Sequence, residues 1–323
     1  MKAAVCRAYG SPRSLTIEDV PTPVPGPGQV RVRVVASSVN FPDALLVAGR
    51  YQIQVPPPFV PGSDFSGTVE EVGEGVEHLS PGMPVYGTVF LGAHAESLVT
   101  EAAGLQALPD GIDFRTAAAF STTYTTAFDV VRTTAALERG QTLVVLGAAG
   151  GVGSAAVEIG KHLGARVIAC VSTDPKLAIA RTLGADDGVV YGVEDLKTRL
   201  KELTGGGADA VIDPVGGSLA EEALRATRYG GRFVVVGFAS GTIPRIPLNL
   251  VLLKGVVVKG YSIASFSAHE AEAAAENRRE LTDLLGAGRL RPHIGACFGL
   301  DRAADALALV AARRSLGKVI IEP

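Results

Sequence analysis

Hydrophobic and polar positions follow a period of two in the first third of the chain and change period after residue 142. Gln29 to Val39 sets Val30, Val32 and Val34 against Arg31 and Arg33, which predicts a strand with one face in a core. Lys2 to Ala8, Leu15 to Val20, Pro84 to Val89 and Ala95 to Val99 read as shorter strands. The proline-rich Pro21 to Pro27 is a surface connector. Pro42 suits the first helical position of a short helix that ends at Gly49. Pro61 to Gly73 is a turn into a strand, with Gly67 and Gly73 as bend points. A helical stretch runs from Phe114 to Leu137.

Beyond it, short apolar runs alternate with segments of helical period. The runs Leu143–Leu146, Arg166–Val171, Gly188–Tyr191, Ala210–Asp213, Arg232–Gly237 and Val256–Tyr261 read as strands. Helices are expected near 154–163, 175–183, 194–203 and 218–228. This alternation predicts an α/β fold with a six-stranded, doubly wound parallel sheet of the Rossmann type. After Tyr261 come a long helix near 268–287, a strand near 293–298, a helix near 301–313 and a last strand, Lys318–Ile321. That tail is too short for a domain and is expected to complete the β-rich first one. The expected division is 1–122 with 265–323, and 123–264.

The run Gly147-Ala-Ala-Gly-Gly-Val-Gly153 stands between the first of these strands and a helix. Strand, glycine turn and helix in this order make a dinucleotide-binding unit. Glycines let the backbone leave the strand tightly and approach a pyrophosphate, and the helix start offers free N–H groups and its positive dipole end. Ala148 stands where the first glycine of GxGxxG belongs, with Gly150 and Gly153 in the other two places. Ala149, Gly150, Gly151, Val152 and Gly153 are therefore expected to contact the cofactor. Gly237, Phe238 and Ala239, after the fifth strand, should run beside the nicotinamide, because ligands bind off the carboxyl ends of such strands.

Composition narrows the partners. With 47% hydrophobic and 20% charged residues, the 323-residue chain can fill the cores of about two domains. A net charge of −3 without a basic stripe argues against nucleic acid and anionic membranes. No apolar run reaches transmembrane length. Cys6, Cys170 and Cys297 lie far apart and fit a reducing cytoplasm.

Four motifs span nearly the whole chain in order: Asn40-Phe-Pro-Asp43, Pro61-Gly-Ser-Asp64-x-x-Gly67, the glycine turn, and Gly317-Lys318-Val-Ile-Ile. Together they resemble the medium-chain dehydrogenase/reductases, and among them the zinc-independent quinone oxidoreductases related to zeta-crystallin. The resemblance implies a GroES-like catalytic domain, split in sequence, around a Rossmann domain, with the active site in the cleft between them. Zinc alcohol dehydrogenases of this superfamily carry a cysteine at the place of Asn40 and Gly-His-Glu in place of Gly62-Ser63-Asp64. Asn40 and Ser63 are poor zinc ligands, and the five histidines are scattered, so no metal site is expected.

The resemblance places Ser172, Lys176 and Tyr191 at the adenosine phosphate, Thr123 near the nicotinamide, and Lys318 among the cofactor-binding residues. An NAD enzyme usually ends its second strand on an acid that accepts the ribose hydroxyls. Here that position is Val171, followed by Ser172, Thr173 and, nearby, Lys176, which suits a 2′-phosphate and hence NADPH. Asp174 is read as the N-cap of the helix that begins at Pro175.

With no metal, hydrogen bonds must polarise the acceptor oxygen. Asn40 and Tyr51 are the expected donors and Asp43 the residue that orients them. Three functions fit. The first is NADPH-dependent reduction of a quinone or other conjugated carbonyl in a zinc-free cleft. The second is reduction of an enone or enoyl thioester. The third is an NADPH-binding structural or regulatory role. A homodimer is expected through the apolar edge Gly255-Val-Val-Val-Lys-Gly260.

Overall fold

A computed structural model describes all 323 residues. The chain forms two compact units, Met1–Thr122 with Arg291–Pro323, and Thr123–Leu290. The first crossing between the units falls between Thr122 and Thr123. The second falls after Leu290, 26 residues beyond the expected 264, so the long helix at 271–286 lies in the second unit.

The first unit opens with β1 (Lys2–Val5) and β2 (Thr16–Asp19), which pair antiparallel. There follow β3 (Gln29–Val39), α1 (Phe41–Val47), β4 (Asp64–Val72), β5 (Pro84–Thr88), β6 (Ser97–Glu101), β7 (Gln106–Ala107) and the start of α2 (Phe114–Phe128). The strand β3 alternates only over its first half. There Val30, Val32 and Val34 are buried while Arg33 is exposed. From Ala36 to Val39 every residue is buried, with Ala36 in an apolar cluster with Ala118 and Ala119 and Val39 in another with Leu46, Val47 and Leu307.

The second unit holds the last turns of α2, a six-residue π-helical segment Asp129–Thr134, and then β8 (Thr142–Leu146), α3 (Gly151–His162), β9 (Arg166–Val171), α4 (Asp174–Thr182), β10 (Asp187–Val190), α5 (Leu196–Thr204), β11 (Ala208–Asp213), α6 (Ser218–Arg225), β12 (Thr227–Val235), α7 (Leu248–Lys254), β13 (Val257–Gly260), α8 (Ile263–His269) and α9 (Ala271–Gly286). The six strands are parallel in the order β10-β9-β8-β11-β12-β13. Chain order reverses between β8 and β11, which is the switch point of a doubly wound sheet. Leu143, Val144, Val145 and Leu146 are fully buried, so β8 reads as an unbroken apolar run rather than an alternating one.

The first unit is completed by β14 (Ile294–Gly299), α10 (Ala303–Ala311) and β15 (Lys318–Glu322). Its sheet runs β14-β15-β3-β4-β5-β7, with β6 also on β3. The strand β15 joins β3 antiparallel through Val319–Val39, Ile320–Ser38 and Ile321–Ser37. The tail from Arg291 onward thus lies in the β-rich unit.

Candidate functional site

Three adjacent strands bring polar residues together at the end of β3. Ser38 lies opposite Asp64 across β3 and β4, and Val39 lies opposite Val319 across β3 and β15. Asn40 and Lys318 are each one residue beyond that last pair and meet. The Lys318 ammonium donates to Asn40 Oδ1 at 2.7 Å and lies 3.7 Å from Asp64 Oδ2. Asn40 Nδ2 donates to Asp64 Oδ2 at 2.8 Å and to Ser63 Oγ at 3.1 Å. Asp64 also accepts from Ser38 Oγ at 3.1 Å, from the Thr122 N–H at 3.3 Å and from Thr122 Oγ1 at 2.5 Å. Lys318 and Asp64 are 3% and 0% exposed, so this is a buried, internally paired cluster. Burial pulls the Lys318 pKa down, and Asp64 and Asp43 hold it up.

Asp43, in the first turn of α1, accepts the Asn40 backbone N–H through Oδ2 at 2.7 Å. This closes the helix start in the manner of a capping box. Its other oxygen, Oδ1, is buried with no partner. Burial pushes the Asp43 carboxyl up to about 7; Asp64 adds to this, and the Asn40 N–H, Lys318 and the Gly62 N–H oppose it. The folded protein therefore holds a proton there between pH 4 and 7 that the unfolded chain releases. Stability from this group is full below about pH 4 and is lost as pH rises to 7. We expect Asp43→Asn, which keeps the acceptor for the Asn40 N–H, to unfold at the wild-type temperature near pH 4. It should gain stability over wild type as pH rises, up to a few kcal/mol above pH 7. Thermal melts across that range that stay parallel would contradict the assignment.

His94 lies in the same unit, fully buried, with Nδ1 3.0 Å from Ser37 Oγ. Burial pushes its pKa down to about 3, so it is neutral and its ring is a packing element. It explains Gly62, whose φ is +101° and whose missing Cβ would fall 2.6 Å from the ring.

The structure thus gathers Asn40, Asp43 and Lys318, but changes two roles. Asn40 has both amide hydrogens engaged by Ser63 and Asp64, so it has none left for an acceptor oxygen. Lys318, expected at the cofactor, is buried on Asn40 and Asp64. Tyr51 stands outside this network. It is half-buried and packs against the apolar cluster that includes Leu46, Val47 and Phe59. In the sequence Ser63 stands out only as a poor zinc ligand and Asp64 only as a motif residue; Ser38 and Thr122 carry no signal of their own.

In the second unit, Gly150 caps α3, and the Ser154 N–H makes the first helical bond, to Gly150 O at 2.8 Å. The N–H groups of Gly151, Val152 and Gly153 therefore have no carbonyl within the helix to bond. The turn is closed by Gly150 N–H to Gly147 O at 2.9 Å. Ala148 and Ala149 are buried beneath it. Such a turn fits a pyrophosphate.

At the ends of β9 and β10, the Lys176 ammonium donates to Ser172 Oγ at 3.1 Å, and the Tyr191 N–H bonds Val171 O at 3.0 Å. The three expected adenosine-side residues are thus neighbours. Thr173, and not Asp174, caps α4; Asp174 is its first helical residue, where its charge suits the helix dipole. Thr123 is buried in α2. The strand β12 ends at Val235, so Gly237, Phe238 and Ala239 form a loop, with the Ala239 N–H on Pro214 O at 3.1 Å.

Beside them lies a residue the sequence reading passed over. Asp213, fully buried at the end of β11, accepts the N–H groups of Val215 and Gly216, both at 2.8 Å. It shapes the Pro214–Gly217 turn at the switch point, and burial raises its pKa. The paired glycines after an apolar run were the available signal.

No group of three or more His, Cys, Asp or Glu side chains converges anywhere in the chain to hold a metal ion. No helix is long and apolar enough to cross a membrane.

Comparison with known proteins agrees with this arrangement. A family model described as the alcohol dehydrogenase GroES-like domain matches residues 26–126, and one described as zinc-binding dehydrogenase matches residues 151–278. Quinone oxidoreductase-like protein 2 of Bos taurus is 38% identical over 323 residues, 99% of this chain and 92% of that protein. The quinone oxidoreductase of Pseudomonas aeruginosa is 36% identical over 321 residues, 98% of each chain. The crystal structure of Escherichia coli quinone oxidoreductase complexed with NADPH superposes with a TM-score of 0.92 at 28% identity, covering 100% of both chains. The GroES-like and Rossmann units, the motif order and these relatives make this chain an oxidoreductase of the quinone oxidoreductase family within the medium-chain dehydrogenase/reductases.

Proposed function

We propose that the chain is an NADPH-dependent reductase that passes a hydride to a quinone without a metal ion. The observation that carries the metal-free part is the donor set at the end of β3. An amide, a hydroxyl and a buried ammonium stand there, and the ammonium already neutralises Asp64. A cationic metal would have to displace that charge and bind weak ligands.

NADPH, when bound, supplies the hydride. The chain's part is to hold it and to meet the acceptor. The N–H groups of Gly151, Val152 and Gly153 receive the pyrophosphate, and Ser172, Lys176 and Tyr191 receive the 2′-phosphate. Gly237, Phe238, Ala239 and Thr123 are assigned to the nicotinamide side. The Tyr51 hydroxyl donates to the acceptor oxygen as negative charge develops on it. A quinone suits this sparse donor set, because the product anion is stabilised by its own ring.

Cofactor choice follows from Lys176 and the missing acid at Val171. We expect kcat/KM to favour NADPH over NADH, and Lys176→Ala to lower the NADPH value about tenfold or more while sparing NADH. Equal wild-type values for the two cofactors would refute this.

A homodimer belongs to the same proposal. The edge strand β13 leaves Val257 and Val258 each 46% exposed, and Leu252 and Leu253 of α7 are 80% and 70% exposed. Soluble monomers rarely leave such an edge and patch uncovered, and a second copy of the chain would cover both. Light scattering at micromolar concentration should give twice the 33.2 kDa chain mass, and a monomer mass would contradict it.

A further inference from the structure

We infer that Lys318 is a positioning residue that fixes the polarity of the Asn40 carboxamide, so that Asn40 meets a bound molecule only as a hydrogen-bond acceptor. The inference builds on the reductase reading above but stands on contacts within one unit. An ammonium donates and never accepts, so the Asn40 atom 2.7 Å from Lys318 Nζ is oxygen. A carboxylate accepts, so the Asn40 atom 2.8 Å from Asp64 Oδ2 is nitrogen. The two charges read the same amide from opposite ends and agree. Ser63 Oγ, at 3.1 Å, takes the second amide hydrogen.

The amide therefore sits between a positive charge at its oxygen and a negative charge at its nitrogen. Both charges act along the direction in which an amide polarises, so each bond strengthens the other in this dry site. The bracket is stiff. Asp64 is held by Ser38 and Thr122, and the Lys318 backbone N–H is tied to His293 O at 2.9 Å. Rotation of the carboxamide by 180° would set NH2 against the ammonium and oxygen against the carboxylate, losing both bonds at once.

The chemical consequence concerns what Asn40 recognises. With two hydrogens engaged and one lone pair of Oδ1 on Lys318, only the second lone pair of Oδ1 remains. Such a group accepts from a hydroxyl or an N–H, such as a sugar hydroxyl, a carboxamide or the O–H of a hydroquinone. It repels the bare carbonyl oxygen of a quinone. Asn40 would then hold cofactor or product, while the oxygen that gains charge is left to Tyr51.

The test is a side-chain amide NMR experiment on the full chain with bound NADPH, the Asn40 resonance being assigned by its loss in Asn40→Ala. In the wild type the Asn40 NH2 hydrogens should exchange with solvent at least tenfold more slowly than those of an exposed asparagine such as Asn249. Lys318→Met should abolish that protection while the rest of the spectrum stays folded. If Lys318→Met does not fold, the charge-balanced pair Lys318→Met with Asp64→Asn replaces it and is compared with Asp64→Asn alone, relative to which a further loss is expected. Protection retained in either folded variant overturns the inference. A kinetic arm with 1,4-benzoquinone asks for coupling. Lys318→Met and Asn40→Ala should each lower kcat, and the double variant should be no slower than the slower single one. Multiplicative losses would mean that Lys318 does not act through Asn40. If the wild type fails to reduce benzoquinone, the quinone reading falls, and the NMR arm still decides the positioning role.

Discussion

Gly153→Ala is expected to weaken NADPH binding by about a hundredfold or more, roughly 3 kcal/mol, while both units stay folded. A Cβ at this position would lie 2.2 Å from Gly147 O, 2.8 Å from Gly147 C and 2.9 Å from Ala148 Cα. All three are backbone atoms of the turn itself, so no side-chain rotation relieves the contact. The turn must open, and opening it moves the Gly151, Val152 and Gly153 N–H groups that receive the pyrophosphate. Gly150→Ala provides the graded control. Its Cβ would meet only Gly147 O, at 3.3 Å, and should cost a few-fold. Fluorescence titration of NADPH against the two variants checks both values. Wild-type affinity in Gly153→Ala would mean that the cofactor is held elsewhere.

The second large effect is expected at Tyr51. Of the two donors that the sequence suggests, Asn40 has its hydrogens on Ser63 and Asp64, which leaves the Tyr51 hydroxyl for the acceptor. If that hydroxyl stabilises charge on the acceptor oxygen, Tyr51→Phe should lower kcat by about 10²–10³-fold and leave the NADPH dissociation constant within about threefold of wild type. The ring stays in its packing place among Leu46, Val47 and Phe59, so the loss reports the hydroxyl. Full quinone turnover in Tyr51→Phe would remove the residue from the chemistry.

What the sequence could and could not reveal divides along the range of the interactions. The bounds of β3 and β9 are local and agree with the pattern at both ends. The doubly wound order of the second unit follows from alternation alone. The stretch 114–137 read as one helix, yet it passes into a π-helical segment at Asp129. There the buried Asp129 accepts from Asn277 Nδ2 at 2.7 Å and Tyr261 OH at 2.8 Å, partners more than 130 residues away. The same bond to Asn277 shows why α9 belongs with the second unit and not the first. Seven residues give too few turns for a period to emerge, so α7 and α8 leave no mark in the pattern, whereas the equally short α1 is marked by Pro42 and Gly49 at its ends.

The candidate site shows the same limit. The residue types at 40 and 63 are poor zinc ligands on sight, and the glycine turn suggests its own ligand class. The roles of Asn40 and Lys318 depend on a strand register that joins residues 278 apart, which no local pattern records.

The central claim is tested most directly by following NADPH oxidation with the wild-type protein in the presence of a metal chelator. Acceptors would be 1,4-benzoquinone, an enone and an enoyl thioester, with NADP⁺-dependent alcohol oxidation run alongside. The account predicts that benzoquinone is reduced fastest, that the chelator leaves this rate unchanged, and that alcohol oxidation is undetectable. Preference for the enone or thioester would move the chain to the alternative reductase class. Loss of quinone reduction on chelation, restored by zinc, or NADPH binding with no acceptor reduced at all, would contradict the account.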